Sequence, residues 1–107
     1  MEELGSEPDP RVVVASDAAG SPVVRISGDL DISGIDALEA QVAPLLAEHP
    51  PKLIVDVREL RFADSSAIAL WVRWSSTVES FELRNPTPLL RRVITSMGLS
   101  DKLAVMP

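Results

Sequence analysis

The stretch between positions 53 and 74 most constrains how this chain can fold, because its character changes sharply along its length. It opens with Leu53–Val57, a short apolar run rich in β-branched residues, as is typical of a buried strand. A mostly polar segment leads to Asp64, Ser65 and Ser66, and a dense apolar block follows. Asp and Ser accept hydrogen bonds from the free N–H groups of a first helical turn. The pattern predicts a strand, a corner with Asp64 as N-cap, and a mostly buried helix that begins at Ser65.

The predicted corner presents a serine hydroxyl outside the core. The partial positive charge of a helix N-terminus tolerates a phosphate group on such a serine. Local chemistry alone favours the simpler alternative, a helix-capping serine with no further role. Asp64 is either a plain N-cap or also a residue that positions Ser65 as an acceptor, and the two roles are compatible.

Further strands are indicated on both sides of this stretch. Arg11–Ala15 and Val23–Ser27 are β-rich runs separated by turn-forming residues, which predicts a hairpin. Gly28–Asp31 is expected to form a loop after the hairpin. Phe81–Arg84 alternates in polarity and is predicted to be a short strand, and Leu103–Met106 is either a final strand or a packed tail.

Two more helices flank the central one. Ser33 and Asp36 have the spacing of a helix start, and the helix that follows contains Pro44, which should bend or shorten it. Thr87 precedes a proline at the predicted first position of the last helix. The expected apolar stripe of that last helix consists of Leu89, Leu90, Val93, Ile94 and Met97. In the central helix, Trp71 and Trp74 are predicted to be core residues.

The predicted order is β-β-α-β-α-β-α, which indicates an α/β domain with a four- to five-stranded mixed sheet and helices packed mainly on one face. Asp29 and Asp31 follow one parallel strand, and Asp64 follows another. Because the carboxyl ends of parallel strands emerge together, these carboxylates are expected to form one docking surface with Ser65. The alternative is that Asp29 and Asp31 are simply turn residues beside Gly28.

Composition limits the possible functions. A chain of 107 residues suggests one domain over residues 11–107, preceded by a flexible acidic tail over residues 1–10. A net charge of −6 argues against binding a nucleic-acid backbone. The longest apolar runs are too short to span a membrane, so a cytoplasmic protein without membrane insertion is expected. No cysteine is present, which excludes disulfides and thiolate metal sites.

Enzyme chemistry has little support in the sequence. His49 is the only histidine, it precedes two prolines, and no Gly-x-Ser-x-Gly elbow accompanies it. No phosphate-binding Gly-rich loop or dinucleotide fingerprint is present, and the carboxylates are scattered. The sequence therefore predicts a protein that is not an enzyme and needs no metal or cofactor.

The ordered set of motifs resembles the STAS domain of bacterial anti-sigma-factor antagonists. The similarity runs from about Val12 to Met106 and rests on four groups of residues. These are Asp64-Ser65-Ser66, Gly28-Asp29-Leu30-Asp31, Arg84-Asn85-Pro86, and Val93-Ile94 through Met97-Gly98-Leu99. Ala67 stands where the family usually has glycine, and its extra methyl group could alter the fit of a partner.

The resemblance implies a regulator that works by partner exchange. The unmodified protein would bind an anti-sigma factor of the serine-kinase type and release the sigma factor, thereby controlling transcription. The kinase would phosphorylate Ser65, or less plausibly Ser66, and a serine phosphatase would reverse the modification. The residues expected to bind the partner are Asp29, Asp31, Asp64, Ser65, Ser66 and Ala67. A monomer or weak dimer is expected.

Two alternatives keep the fold but change the function. Stand-alone STAS domains also serve as regulatory subunits of lipid-transporting ABC complexes, where they dock on the ATPase without phosphorylation. A stressosome-type scaffold is the other alternative.

Overall fold

The computed structural model describes residues 10–106, so the predicted flexible tail lies almost entirely outside the described residues. The strands in this range are β1 Arg11–Ser16, β2 Pro22–Leu30, β3 Lys52–Asp56, β4 Leu60–Ala63, β5 Ser80–Arg84 and β6 Val105–Met106. The helices in the same range are α1 Ile32–Leu46, α2 Ser65–Ser75 and α3 Pro88–Ser96. The predicted order is confirmed, with one short strand added before α2 and another at the end.

The strands form one mixed sheet in the order β1-β2-β3-β5-β6. β1 and β2 are an antiparallel hairpin, whereas β2, β3, β5 and β6 run parallel to one another. β4 lies outside this row and pairs in parallel with the C-terminal end of β2, where Leu30 is opposite Ala63. The long strand β2 therefore pairs with β3 through its residues 23–25 and with β4 through its residues 28–30.

One face of the sheet carries the hydrophobic core. Val24 lies opposite Val55, which lies opposite Leu83, and all three side chains are completely buried. The helices add to this core Ile35, Leu38 and Val42 from α1, Ala67, Ile68, Leu70, Trp71 and Trp74 from α2, and Leu90 and Ile94 from α3. The packing of the helices mainly on one face and the core position of both tryptophans are confirmed.

The other face of the sheet carries charged side chains. Arg25 lies opposite Asp56, which lies opposite Arg84, one position along each strand from the core row. Glu82 accepts a hydrogen bond from Arg84 and forms an ion pair with Lys52, whose Nζ lies 3.4 Å from Glu82 Oε1. Because side chains alternate along a strand, each of β2, β3 and β5 contributes to both faces.

The sheet has six strands within residues 10–106, rather than the predicted four to five. The expected loop at Gly28–Asp31 is wrong for its first three residues, which continue β2 and pair with β4. β4 has only four residues, Leu60–Ala63, and this run is too short for its residue pattern to predict a strand. Gly28 has φ +88°, a conformation that favours glycine, and the register of β2 against β4 shifts directly after it.

The first helix begins two residues earlier than the Ser33 spacing suggests. Asp31 is its N-cap, and the Asp31 side chain accepts from the backbone N–H of Ser33. Pro44 lies inside α1, which continues to Leu46. Proline removes only one hydrogen bond in the last turn, so the helix tolerates it near its end.

Two features are absent from the part of the chain that the structure describes. None of its helices is long and apolar enough to cross a bilayer. Its His, Asp and Glu side chains also form no group of three or more that could hold a metal ion.

Candidate functional site

The candidate site lies where β2 and β4 end side by side. The backbone N–H of Asp64 donates to the carbonyl oxygen of Leu30, with an N···O distance of 3.3 Å. Each strand leads directly into a helix, α1 after Asp31 and α2 after Asp64. The predicted meeting of the Asp29–Asp31 segment with the Asp64 corner at one edge of the sheet is therefore present in the structure.

The two helices begin with the same arrangement of aspartate and serine. Asp31 Oδ1 accepts from the backbone N–H of Ser33 at 3.0 Å and from its hydroxyl at 2.6 Å. Asp64 Oδ1 accepts from the backbone N–H of Ser66 at 3.0 Å and also from the Ser66 hydroxyl. Each aspartate thus satisfies an N–H group that a helix leaves free in its first turn. The prediction that Asp64 is the N-cap and Ser65 the first helical residue is confirmed.

The carboxylate of Asp64 is held in its charged form. The hydrogen bond from the Ser66 hydroxyl is the largest cause that lowers the pKa of Asp64 below its ordinary value. The backbone N–H groups of Ser66, Ala67 and Ile32 lower the pKa further, while partial desolvation opposes them. Ile32 is the first residue of α1, so the Asp64 carboxylate interacts with the starts of both helices.

The two serines at the corner differ in what their hydroxyls do. The Ser66 hydroxyl is committed to Asp64, and the residue is only partly exposed. Ser65 is exposed, and its hydroxyl forms no hydrogen bond within residues 10–106. Of the two candidate acceptors, Ser65 is the one whose hydroxyl is open to a partner.

An ion pair lies beside this corner. Arg61 on β4 donates from Nε to Asp29 Oδ1 on β2 at 3.2 Å, and both side chains are substantially exposed. The pairing of β2 with β4 brings these residues together across 32 positions of sequence. Because β4 itself was not indicated by the sequence pattern, neither was this role of Arg61.

An apolar groove with a volume of about 290 Å³ runs from the Ser65 corner to α3. Phe62, Leu89 and Val93 line it and are 52%, 67% and 40% exposed. The expectation that the apolar positions of α3 form one buried stripe is wrong for Leu89 and Val93, and also for Met97 at 51% exposure. These residues lie on a row of the helix surface next to the buried Leu90 and Ile94, and the core covers only the latter row.

Ala67 occupies a different position from the other predicted partner-binding residues. Its side chain is completely buried on the inner face of α2, within the hydrophobic core. The expectation that Ala67 contacts a partner is wrong for this conformation, since its methyl group offers no surface. Ser65, two residues before Ala67, is exposed.

Residues 14–106 match the family model described as "Mlab, STAS domain". An anti-sigma-F factor antagonist, RsfB of Mycobacterium tuberculosis, is 28% identical over 97 residues, which cover 88% of this chain and 80% of that protein.

Solved structures resemble the fold closely. The crystal structure of an anti-sigma factor antagonist from Mycobacterium paratuberculosis has a TM-score of 0.83 and 27% identity, and the match covers 95% of this chain and 90% of that one. The anti-sigma factor antagonist SpoIIAA in its unphosphorylated form has a TM-score of 0.74 at 22% identity, covering 91% and 89% of the two chains. The phosphorylated form of the Bacillus protein SpoIIAA has a TM-score of 0.69, also at 22% identity, covering 91% and 92%.

Proposed function

The chain belongs to the STAS domain family, and we propose that it is an anti-sigma-factor antagonist whose binding to a serine-kinase anti-sigma factor is regulated by phosphorylation of Ser65. One observation carries this proposal: Ser65 presents an exposed, uncommitted hydroxyl at the start of α2, on the rim of the apolar groove. Relatives that bear the name of anti-sigma factor antagonists support the class of partner.

The groove is suited to docking of a protein. Exposed Phe62, Leu89 and Val93 lie together, and contiguous apolar surface of this kind marks protein interaction sites. Ser65 lies among the same lining residues, so a partner that covers the groove also covers the hydroxyl. The partner would therefore use the same surface of this protein for binding and for bringing its kinase site to Ser65.

Electrostatics explains how phosphorylation would end the interaction. A phosphate group adds about −1.5 to −2 charges beside Asp64, which the Ser66 hydroxyl already keeps ionised. The first turn of α2 can accommodate this charge, because the partial positive charge of a helix N-terminus favours an anion. A partner surface that fits a neutral hydroxyl cannot accommodate the same charge without a matching cation. The modification would therefore act on binding more than on folding.

The proposed cycle assigns this protein the role of ligand and substrate, without catalytic residues of its own. The partner kinase would use ATP held in its own site, and a serine phosphatase would restore the unmodified form. The docking surface around Ser65 would include the carboxylates of Asp29, Asp31 and Asp64. The protein would act in the cytoplasm as a monomer or weak dimer.

To test this proposal, the protein is recovered from the native cytoplasm together with its bound partner. ATP and magnesium are then added to the complex, and any phosphate on this protein is mapped by peptide mass spectrometry. We expect phosphate on Ser65 and release of the partner. Ser65→Ala should bind and stay unlabelled, whereas Ser66→Ala should still be labelled. Stoichiometric labelling of Ser65→Ala would overturn the choice of acceptor. A stable complex with an ATPase and a permease, or a large assembly, with no phosphate would support the ABC-subunit or scaffold function instead.

A further inference from the structure

Arg61 is a cationic residue close in sequence to Ser65 and on the same groove. Both residues line the apolar groove, and Arg61 is the only cationic residue among the described residues that line it. They are four positions apart, so their Cα atoms are at most about 14 Å from each other. The long side chain of arginine and a phosphorylated serine side chain together cover most of that distance when both face the groove.

The Asp29 carboxylate, one of the groups with which Arg61 interacts, is a weaker ligand than a phosphate would be. Arg61 donates through Nε to a single oxygen of Asp29 at 3.2 Å, in an exposed ion pair. Exposed pairs between arginine and a single carboxylate contribute little free energy. A phosphate dianion carries more charge and three acceptor oxygens, and the guanidinium fork binds such a group through two parallel hydrogen bonds.

We propose that Arg61 is the intramolecular ligand of the phosphate on Ser65, and that phosphorylation moves the Arg61 guanidinium from Asp29 to the phosphate. This inference rests on the proposed phosphorylation of Ser65. Its consequence is that one modification changes two parts of the docking surface, because Asp29 loses its counter-ion as Ser65 gains a charge. The Asp29 carboxylate, on the strand that leads into Asp31, would then add to the negative potential that faces the partner.

The phosphate's own titration tests this assignment. Phosphoserine is incorporated at position 65 during translation, and the phosphorus NMR signal is followed from about pH 4 to pH 8, around the ordinary second pKa of about 6. A nearby cation favours the dianion and lowers that pKa. We therefore expect Arg61→Gln to raise the pKa of the phosphate by about half a unit relative to the wild-type protein, a modest shift because the site is exposed.

Three further variants separate a direct contact from general charge effects. Arg58→Gln removes the same charge from a residue that lines a different pocket, with Asp56 and Glu59, and should titrate like the wild type. Arg61→Lys keeps the charge without the fork and should give an intermediate pKa. Asp29→Asn removes the competing carboxylate and should lower the pKa below the wild-type value.

A wild-type titration that Arg61→Gln leaves unchanged would overturn the proposal, as would an equal shift in Arg58→Gln. The test does not need the kinase, because the phosphoserine is installed during translation. Failure of the partner to phosphorylate Ser65 would therefore defeat the proposed function, while the NMR titration would still report whether Arg61 binds a phosphate at that position.

Discussion

The backbone N–H of Asp64 donates to the carbonyl oxygen of Leu30, and this bond joins the two strand ends from which α1 and α2 start. It extends the parallel pairing of β4 with the end of β2, in which Leu30 lies opposite Ala63. Without that pairing, Asp31 and Asp64 would be caps of unrelated helices. With it, two capped helix starts, an ion pair and the exposed Ser65 share one edge of the sheet.

Replacement of Ser65 by glutamate should weaken partner binding while leaving the fold intact. The side chain is exposed, and a negative charge in the first turn of α2 interacts favourably with the helix dipole. We expect the circular dichroism spectrum to match the wild type and the melting temperature to change by no more than a few degrees. Affinity for the isolated anti-sigma partner, measured by calorimetry, should fall at least tenfold.

Ser76→Glu is the matched control, because Ser76 is an exposed serine at the opposite end of the same helix. It should bind the partner like the wild type. Unfolding of Ser65→Glu, or equal loss of binding in both variants, would contradict a local electrostatic effect at the corner.

Truncation of Phe62 to alanine should reduce partner binding at little cost to stability. Phe62 is 52% exposed and lines the groove, so its removal leaves no enclosed cavity. We expect the free energy of unfolding in urea to fall by less than about 1 kcal/mol and the affinity for the partner to fall several-fold. Val93→Ala on the other side of the groove should behave in the same way.

Ile94→Ala should instead lower the stability strongly, because Ile94 follows Val93 in α3 and is completely buried. It should cost about 2–5 kcal/mol of unfolding free energy. If Phe62→Ala destabilises the protein as much as Ile94→Ala does, the groove is part of the core and not a docking surface.

The parts of the site that sequence could predict are those set by local rules. Asp64 as N-cap follows from the hydrogen-bonding preference of a first helical turn, and the burial of Trp71 and Trp74 follows from the apolar character of α2. The juxtaposition of the Asp31 and Asp64 corners was predictable from the parallel direction of β2 and β3, although in the structure it is β4 that leads into Asp64. Each of these inferences needs only a few neighbouring residues or the order of the elements.

The remaining features depend on contacts between distant segments. The Asp29–Arg61 pair exists because β4 extends the sheet beside β2, and the four residues of β4 are too few to predict a strand from their pattern. The exposure of Leu89 depends on how α3 is rotated against the sheet, which the apolar spacing leaves undetermined because it covers two adjacent rows of the helix. A broad apolar surface on a nine-residue helix nevertheless indicates that one row will be left outside the core.

Replacement of Asp64 by asparagine should remove a pH-dependent part of the stability. The lowered pKa of Asp64 means that the folded state binds its proton less readily than the unfolded state. This contribution is therefore fully present above the ordinary aspartate pKa of about 3.9, and it is lost as the pH falls through the lowered folded-state value. Asparagine still caps a helix but does not titrate.

The measurement is the melting temperature of both proteins between about pH 7 and pH 2. We expect the wild type to be more stable at neutral pH and the difference to shrink below about pH 4. Parallel curves across the whole range would mean that the charge of Asp64 makes no contribution through its contacts with Ser66 and Ile32.

Replacement of Ala67 by glycine should lower stability without altering partner exchange. The Ala67 methyl group is completely buried in the core, and glycine in a helix costs about 1 kcal/mol through its greater freedom in the unfolded chain. Urea unfolding should show a loss of that size, while the affinity for the partner and the rate of Ser65 phosphorylation stay at wild-type values. Ala69→Gly, at an exposed position of the same helix, is the control for helix propensity alone. A glycine at position 67 that enables phosphorylation where the wild type shows none would instead mean that the methyl group limits access to Ser65 through the packing of the first turn.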